Sequence, residues 1–135
     1  MAALIGRKVR LKKGTGVSAV GIIGARQEDL TIANGEVDVT DKDDNGYRTL
    51  LDDWGMRSID VSISGLLKDD SLIEIATSAS AAILLQAYEL EIDGIGTFAG
   101  DFFMNGLQLG APHDNSVTFS ATFLSSGEYT YTAAV

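Results

Sequence analysis

Two short stretches of this chain alternate strictly between apolar and polar residues, and they flank a segment that does not. Val37 and Val39 oppose Glu36, Asp38 and Thr40; Ile59, Val61 and Ile63 oppose Ser58, Asp60, Ser62 and Ser64. A period of two sends successive side chains to opposite faces, so both stretches read as strands with one buried and one wet face. Between them, Asp41–Arg57 runs for about 17 residues without a strand pattern, longer than most connections in compact domains. It carries Tyr47, Leu50, Leu51, Trp54 and Met56, too many large apolar groups for an inert linker. Such side chains on a loop fit a chain that docks onto copies of itself.

At 135 residues the chain reads as a single domain, residues 1–135, long enough to bury a real core. It has no cysteine, which rules out disulfides and cysteine-based metal or redox sites. No apolar run reaches the length of a membrane-spanning helix, so no membrane insertion is expected. The start, MAALIGRKVRLKKG, lacks the order of a signal peptide, and an intracellular origin is the expectation. Charge is lopsided. Five of the ten basic residues (Arg7, Lys8, Arg10, Lys12 and Lys13) fall in the first 13 positions. The remainder holds five basic and 19 acidic groups, a net of −14. An acidic body of this kind argues against ordinary DNA binding, where lysine and arginine must neutralise phosphates. Val9 and Leu11 alternate with Arg10 and Lys12, so the basic segment reads as a strand with an exposed basic face rather than a nucleic-acid arm, able to meet an acidic neighbour in an assembly.

Further strands are expected at Gly6–Lys13, Ala19–Arg26, Ala82–Ile92, Phe98–Leu109, Ser116–Leu124 and Glu128–Ala133. A glycine-rich turn follows the first, and Gln27–Ala33 reads as a short extended or turn region. One helix is expected at Ser71–Ala79, with Leu72, Ile73, Ile75, Ala76 and Ala79 forming its apolar stripe and Asp69, Asp70 or Ser71 as its cap. The pattern predicts a mainly β fold: an antiparallel β-sandwich or open barrel with one flanking α-helix and a long inter-strand loop.

Catalytic chemistry is hard to build from these residues. His113 is the only histidine and sits in a Pro-His-Asp turn. No serine occupies a nucleophile-elbow pattern, and no GxGxxG opens a helix. The run Asp41–Gly46, DKDDNG, resembles part of a calcium loop but lacks the distal glutamate, since Asp52 stands at its twelfth position. An exposed acidic loop is the better reading. The expectation is therefore no enzyme, no metal and no cofactor.

The wet faces of the strands are more telling. They hold Glu36, Asp38 and Thr40; Ser58, Asp60, Ser62 and Ser64; and Thr118, Ser120 and Thr122, with Asp101 and Asn105 as further candidates. None is lysine or arginine, although solvated strands commonly include lysine. Chance within an acidic protein is the bland explanation. The sharper one is a surface that meets a polyanion without holding it, because acids repel phosphates over a Debye length of about 8 Å.

The segments GEVDVTDKDDNGYRTLL and SIDVSISGLLKDD, followed by GIGTFAGDFFMNGLQLGAPHDNSVTFSATFLSSGEYTY, resemble the tail-tube (major tail) proteins of long non-contractile siphophage tails. The resemblance runs in order from about Gly21 to Tyr131, and the short length also resembles the tube proteins of phage-like gene transfer agents. It implies a structural protomer whose hexameric rings stack into a hollow tube, each subunit giving four strands to a shared inner barrel. Those strands fall near residues 36–40, 57–66, 99–109 and 116–124, whose wet faces would form an acidic, DNA-conducting lumen. The long loop would bridge neighbouring subunits or rings through Asp41, Asp43, Asp44, Tyr47, Leu50, Leu51 and Trp54. Implied partners are further copies of the chain, a tape-measure protein, a tail terminator, a distal tail protein, and double-stranded DNA in transit without specific binding. The implied location is a virion or gene-transfer-agent particle assembled in the bacterial cytoplasm. Two other readings stand beside this one. The first is the tube of a contractile tail or a secretion-system-like injection machine; the second is a β-sandwich ligand-binding module using the acidic loop.

Overall fold

The computed structural model describes residues 3–14 and 19–133. Seven strands form one antiparallel sheet: β1 (Val9–Lys13), β2 (Val20–Gly21), β3 (Ala25–Asn34), β4 (Arg57–Leu66), β5 (Leu85–Ile92), β6 (Gly96–Gly110) and β7 (Thr118–Ala133). Their order across the sheet is β2-β1-β5-β6-β7-β4-β3. The mainly β, antiparallel expectation holds. The glycine-rich turn expected after β1 falls largely on residues 15–18, outside the described residues.

The sheet makes two layers because β6 and β7 belong to both. The first part of β6 pairs with β5 on one side and with the tail of β7 on the other. Its second part pairs only with the start of β7, which pairs in turn with β4. Register shifts opposite Gly100 and at Asn105 mark the bulges where the pair bends. Ile59, Val61, Ile63, Phe119 and Phe123 from one layer then bury against Leu11, Tyr88 and Leu90 from the other, with Phe102 and Met104 between. The Tyr88 ring lies 4.9 Å from Phe123 and 6.3 Å edge-on from Phe102. Each fully buried side chain of this size contributes about 1.5–3 kcal/mol, which makes this alternating set the main source of stability. The layers are tied at one side by Glu28 of β3, whose carboxylate accepts a hydrogen bond from the Leu11 backbone N–H of β1.

Gly24 and Gly65 permit the close approach of β3 to β4. A Cβ on Gly65 would come within 2.1 Å of the Gly24 carbonyl oxygen, and Gly24 itself has φ +86°. The Gly24 carbonyl accepts from Leu66 N at 3.0 Å.

Several elements depart from expectation. The helix α1 is shorter, Ser71–Ala76, and ends where the Thr77 hydroxyl donates back to the Ile73 carbonyl. A second short helix, α2 (Ala81–Leu84), replaces the expected start of β5 at Ala82. Both are too short to stand alone; α1 is held by burying Leu72 and Ile75 in the core. The two strands expected at Ser116–Leu124 and Glu128–Ala133 are one strand, β7, because Ser125 and Ser126 stay extended and Gly127 takes φ +77° within a bulge. The largest correction concerns Glu36–Thr40, which is not a strand of the sheet; only an isolated bridge joins Asp38 to Leu50. The sheet position beside β4 is taken by β3, from the segment read as short or turn-like.

Candidate functional site: a polar sheet face and a projecting arm

Opposed residues in an antiparallel pair share a face. The registers therefore build a continuous outer face on β3, β4, β7 and the second part of β6. One row runs Gln27, Ser64, Ser120, Gln108; the next Asp29, Ser62, Thr122, Gly106; the next Thr31, Asp60, Leu124, Phe103. Core residues alternate with these rows, and that alternation is what turns the hydroxyls and carboxylates outward. Gln27 donates from its amide nitrogen to Asp29 at 3.0 Å. The paired positions of this face carry two carboxylates, Asp29 and Asp60, and no lysine or arginine. Arg26 sits in a bulge beside Gln27 at one end, where a groove of about 610 Å³ opens between Gln27, Ser64, Gln108 and Thr118.

Seven of the ten expected face residues come together here: Ser58, Asp60, Ser62, Ser64, Thr118, Ser120 and Thr122. Glu36, Asp38 and Thr40 do not; they lie on the arm described below. Gln27, Asp29, Thr31 and Gln108 take part instead and went unread in the sequence. Their signal was the alternation of Gln27, Asp29 and Thr31 with Leu30 and Ile32, blurred by Glu28 on the inward side. Asp101 and Asn105 are both exposed, beside the two bulges of β6.

Two strand edges bound this face. β3 is the last strand of the sheet, and its outer edge has no partner strand among the described residues. On the other side, pairing of β6 with β5 stops at Phe103, so β6 beyond it is bonded only to β7 among the described residues. Unpaired edges offer rows of N–H and C=O groups to another chain, and proteins usually guard them with lysine, proline or a short length. β3 is ten residues long and has neither lysine nor proline.

Residues 35–56 continue the β3–β4 hairpin as an irregular arm. Gly35 N donates to the Met56 carbonyl at 2.7 Å, Leu51 N to Val37 at 2.8 Å and Val39 N to Thr49 at 3.0 Å. The Asp38 carboxyl, fully exposed, is held below the usual carboxylate range by the Thr40 side chain first and the Thr40 N–H second. At the tip, Asp41 accepts from Asp43 N and Asp44 accepts from Asp41 N, closing a reciprocal cap on the 3-10 turn Lys42–Asp44. These bonds occupy two of the acids that resembled a calcium loop. Asn45 and Gly46, both with positive φ, then turn the chain into Tyr47. At the base, Arg57 lies over the rings of Trp54 and Tyr129 and donates to Asn34 at 2.9 Å. Tyr47 is 78% exposed and Trp54 61%, and Leu50, Leu51 and Met56 are also exposed. The arm thus presents apolar side chains on a locally hydrogen-bonded frame. Its seven acids and two bases (Lys42 and Arg48) give it a net charge of −5.

The basic residues of β1, expected to face an acidic neighbour in an assembly, face acidic partners within the chain instead. Arg10 pairs in register with Glu91 and Lys12 with Glu89, and the Lys12 ammonium lies 2.6 Å from a Glu91 oxygen.

Residues 7–131 match the phage tail tube protein family. Among solved structures, a chain from the tail of an empty GTA particle, determined with C6 symmetry, superposes with a TM-score of 0.85 at 22% identity, covering 97% of this chain and all of that one. A chain of the SPP1 tail tube gives 0.66 at 13% identity, over 98% of this chain and 81% of that one. A chain of the PVC sheath–tube complex, an extracellular contractile injection system, gives 0.64 at 11% identity, over 93% and 88%. No curated protein matches the sequence.

Proposed function

The chain belongs to the phage tail tube protein family and is a structural protomer of a tube, and from that premise we propose how copies of it close a conduit. The observation that carries the proposal is the polar four-strand face lying between two unpaired strand edges. Joining β3 of one copy to the second part of β6 in the next extends the sheet head to tail. A head-to-tail interface whose rotation closes makes a ring. Six copies close it, as in the C6-symmetric relative, and the rings stack into a hollow tube.

In such a ring the polar face lines the bore. Asp29 and Asp60 from each copy repel passing DNA, while the serine and threonine hydroxyls keep the wall wet without cationic contacts. The conduit works mechanically and needs no catalysis. The arm, with Tyr47, Leu50, Leu51 and Trp54, fastens one copy to another through apolar contacts that a free chain leaves exposed. A tape-measure protein inside the bore, a terminator and a distal tail protein at the ends, and assembly in the bacterial cytoplasm complete the proposal, as the family resemblance implies.

Electron microscopy of concentrated protein tests it. Hollow tubes of stacked rings are expected. A chain that stays monomeric at high concentration across a range of salt, by microscopy and light scattering, overturns it.

A further inference from the structure

Three of the four asparagines of this chain precede glycine: Asn34–Gly35, Asn45–Gly46 and Asn105–Gly106. Each pair carries the same latent chemistry. The glycine backbone nitrogen can attack the asparagine side-chain carbonyl carbon, since no Cβ on the glycine hinders its approach. A C–N bond forms and closes a cyclic imide, a succinimide. The side-chain nitrogen leaves as ammonia and carries off the proton of the attacking N–H. Water then opens the ring at either carbonyl, giving aspartate or isoaspartate. The step needs an unengaged side chain, an unengaged backbone N–H, and a backbone free to rotate until they meet.

The sheet denies these conditions to two of the pairs. Asn34 accepts from Arg57 Nε at 2.9 Å, and the Gly35 N–H donates to the Met56 carbonyl at 2.7 Å, so both reacting groups are engaged. Asn34 is also held in β3, opposite Arg57. Asn105 is exposed at the second bulge of β6, but the pairs Met104–Phe123 and Gly106–Thr122 on either side hold it in an extended strand. Its backbone can turn only when that ladder opens.

Asn45–Gly46 differs on each count. It follows the 3-10 turn at the tip of the arm, outside any strand, and Asn45 is exposed. Neither the Asn45 side chain nor the Gly46 N–H has a hydrogen-bond partner among the described residues. The bonds that shape the tip are donated by the backbone nitrogens of Asp41, Asp43, Asp44 and Tyr47 and bypass both groups. A Cβ on Gly46 would meet nothing within 4 Å, so the ring has room to close.

We propose that Asn45–Gly46 is a site of spontaneous deamidation in the folded chain, and that the sheet protects Asn34 and Asn105. Conversion adds one carboxylate and takes the arm from −5 to −6. As isoaspartate it also reroutes the backbone through Cβ at the tip. A chain that waits unassembled thereby acquires a different arm. The inference needs only the fold of the arm and is independent of the tube reading.

Peptide mapping by mass spectrometry tests it, on protein incubated at mildly alkaline pH both folded and unfolded in guanidinium chloride. Labelling by an isoaspartyl methyltransferase gives a second readout. Asn45 should convert at a similar rate in both states. Asn34 and Asn105 react only from locally opened chains, so they should convert at least about tenfold more slowly folded than unfolded. Asn45→Gln should abolish most methyltransferase labelling of the folded protein. Asn34 or Asn105 converting in the folded chain as fast as Asn45 overturns the inference. So does protection of Asn45 equal to theirs, or labelling that persists in Asn45→Gln.

Discussion

The guanidinium carbon of Arg57 lies 4.8 Å from the centre of the Trp54 ring. Arg57 begins β4 and Trp54 lies near the end of the arm, so this cation–π contact helps tie the base of the arm to the sheet. With Trp54 largely exposed, the contact is worth only about 0.5–1 kcal/mol to the free chain. Trp54→Ala should therefore lower the melting temperature slightly while sharply reducing tube formation, read by calorimetry and electron microscopy. A clear loss of melting temperature with normal tubes reverses the assignment.

Asp29→Lys with Asp60→Lys should leave tubes intact and impair DNA delivery by particles that carry them, since both side chains are on the proposed wall. Asp38→Lys is the control, because that residue is on the arm. Unchanged delivery by the double variant removes the repulsive-wall argument.

The Tyr88 side chain is fully buried, and burial pushes its phenol up to about 12. Its hydroxyl gains nothing in the free chain. Tyr88→Phe should leave stability unchanged or raise it by about 1 kcal/mol in urea unfolding, because an unpartnered buried hydroxyl is removed at constant shape.

Burial raises the Glu28 carboxyl above its ordinary value, against the opposing pull of the Leu11 N–H and of Arg10. A raised carboxyl favours the protonated folded form. Its contribution to stability is fully present below the unfolded value of 4.5 and is lost as pH rises through the raised folded value. Glu28→Gln keeps an acceptor for Leu11 and removes the titration. The variant should gain stability over the parent as pH rises through that window, with the gain vanishing in acid. Parallel unfolding curves across pH check this.

Gly65→Ala should cost about 1–3 kcal/mol or more, because its Cβ has no room beside the Gly24 carbonyl. Gly106→Ala, with open space around the same atom, should stay within about 0.5 kcal/mol. Equal effects contradict the register of β3 on β4.

Where one face is buried and the other wet, the sequence carried the structure plainly. Ile59, Val61, Ile63, Phe119, Ala121 and Phe123 are buried, and the serines and threonines between them meet in register. Glu36–Thr40 has the same alternation, but among the described residues its only strand-like pairing is the isolated Asp38–Leu50 bridge, and Val39 stays exposed, so the alternation was real and the sheet membership wrong. β3 was hidden by Glu28, whose inward place depends on the Leu11 N–H, a partner 17 residues away. The continuity of β7 was hidden by its serines. Ser125 uses its hydroxyl to accept from Ile59 N, a tertiary role that local turn propensity cannot reveal.

The long β6–β7 pair has a mechanical meaning. Since these strands run without a break from the outer layer into the proposed wall, a push on one layer is felt at once by the other. Two layers joined through the same pair of strands resist sliding past each other, as a stiff tile does. Curvature in a filament of such tiles is left to the joints between them, where the arm would reach from one tile to the next.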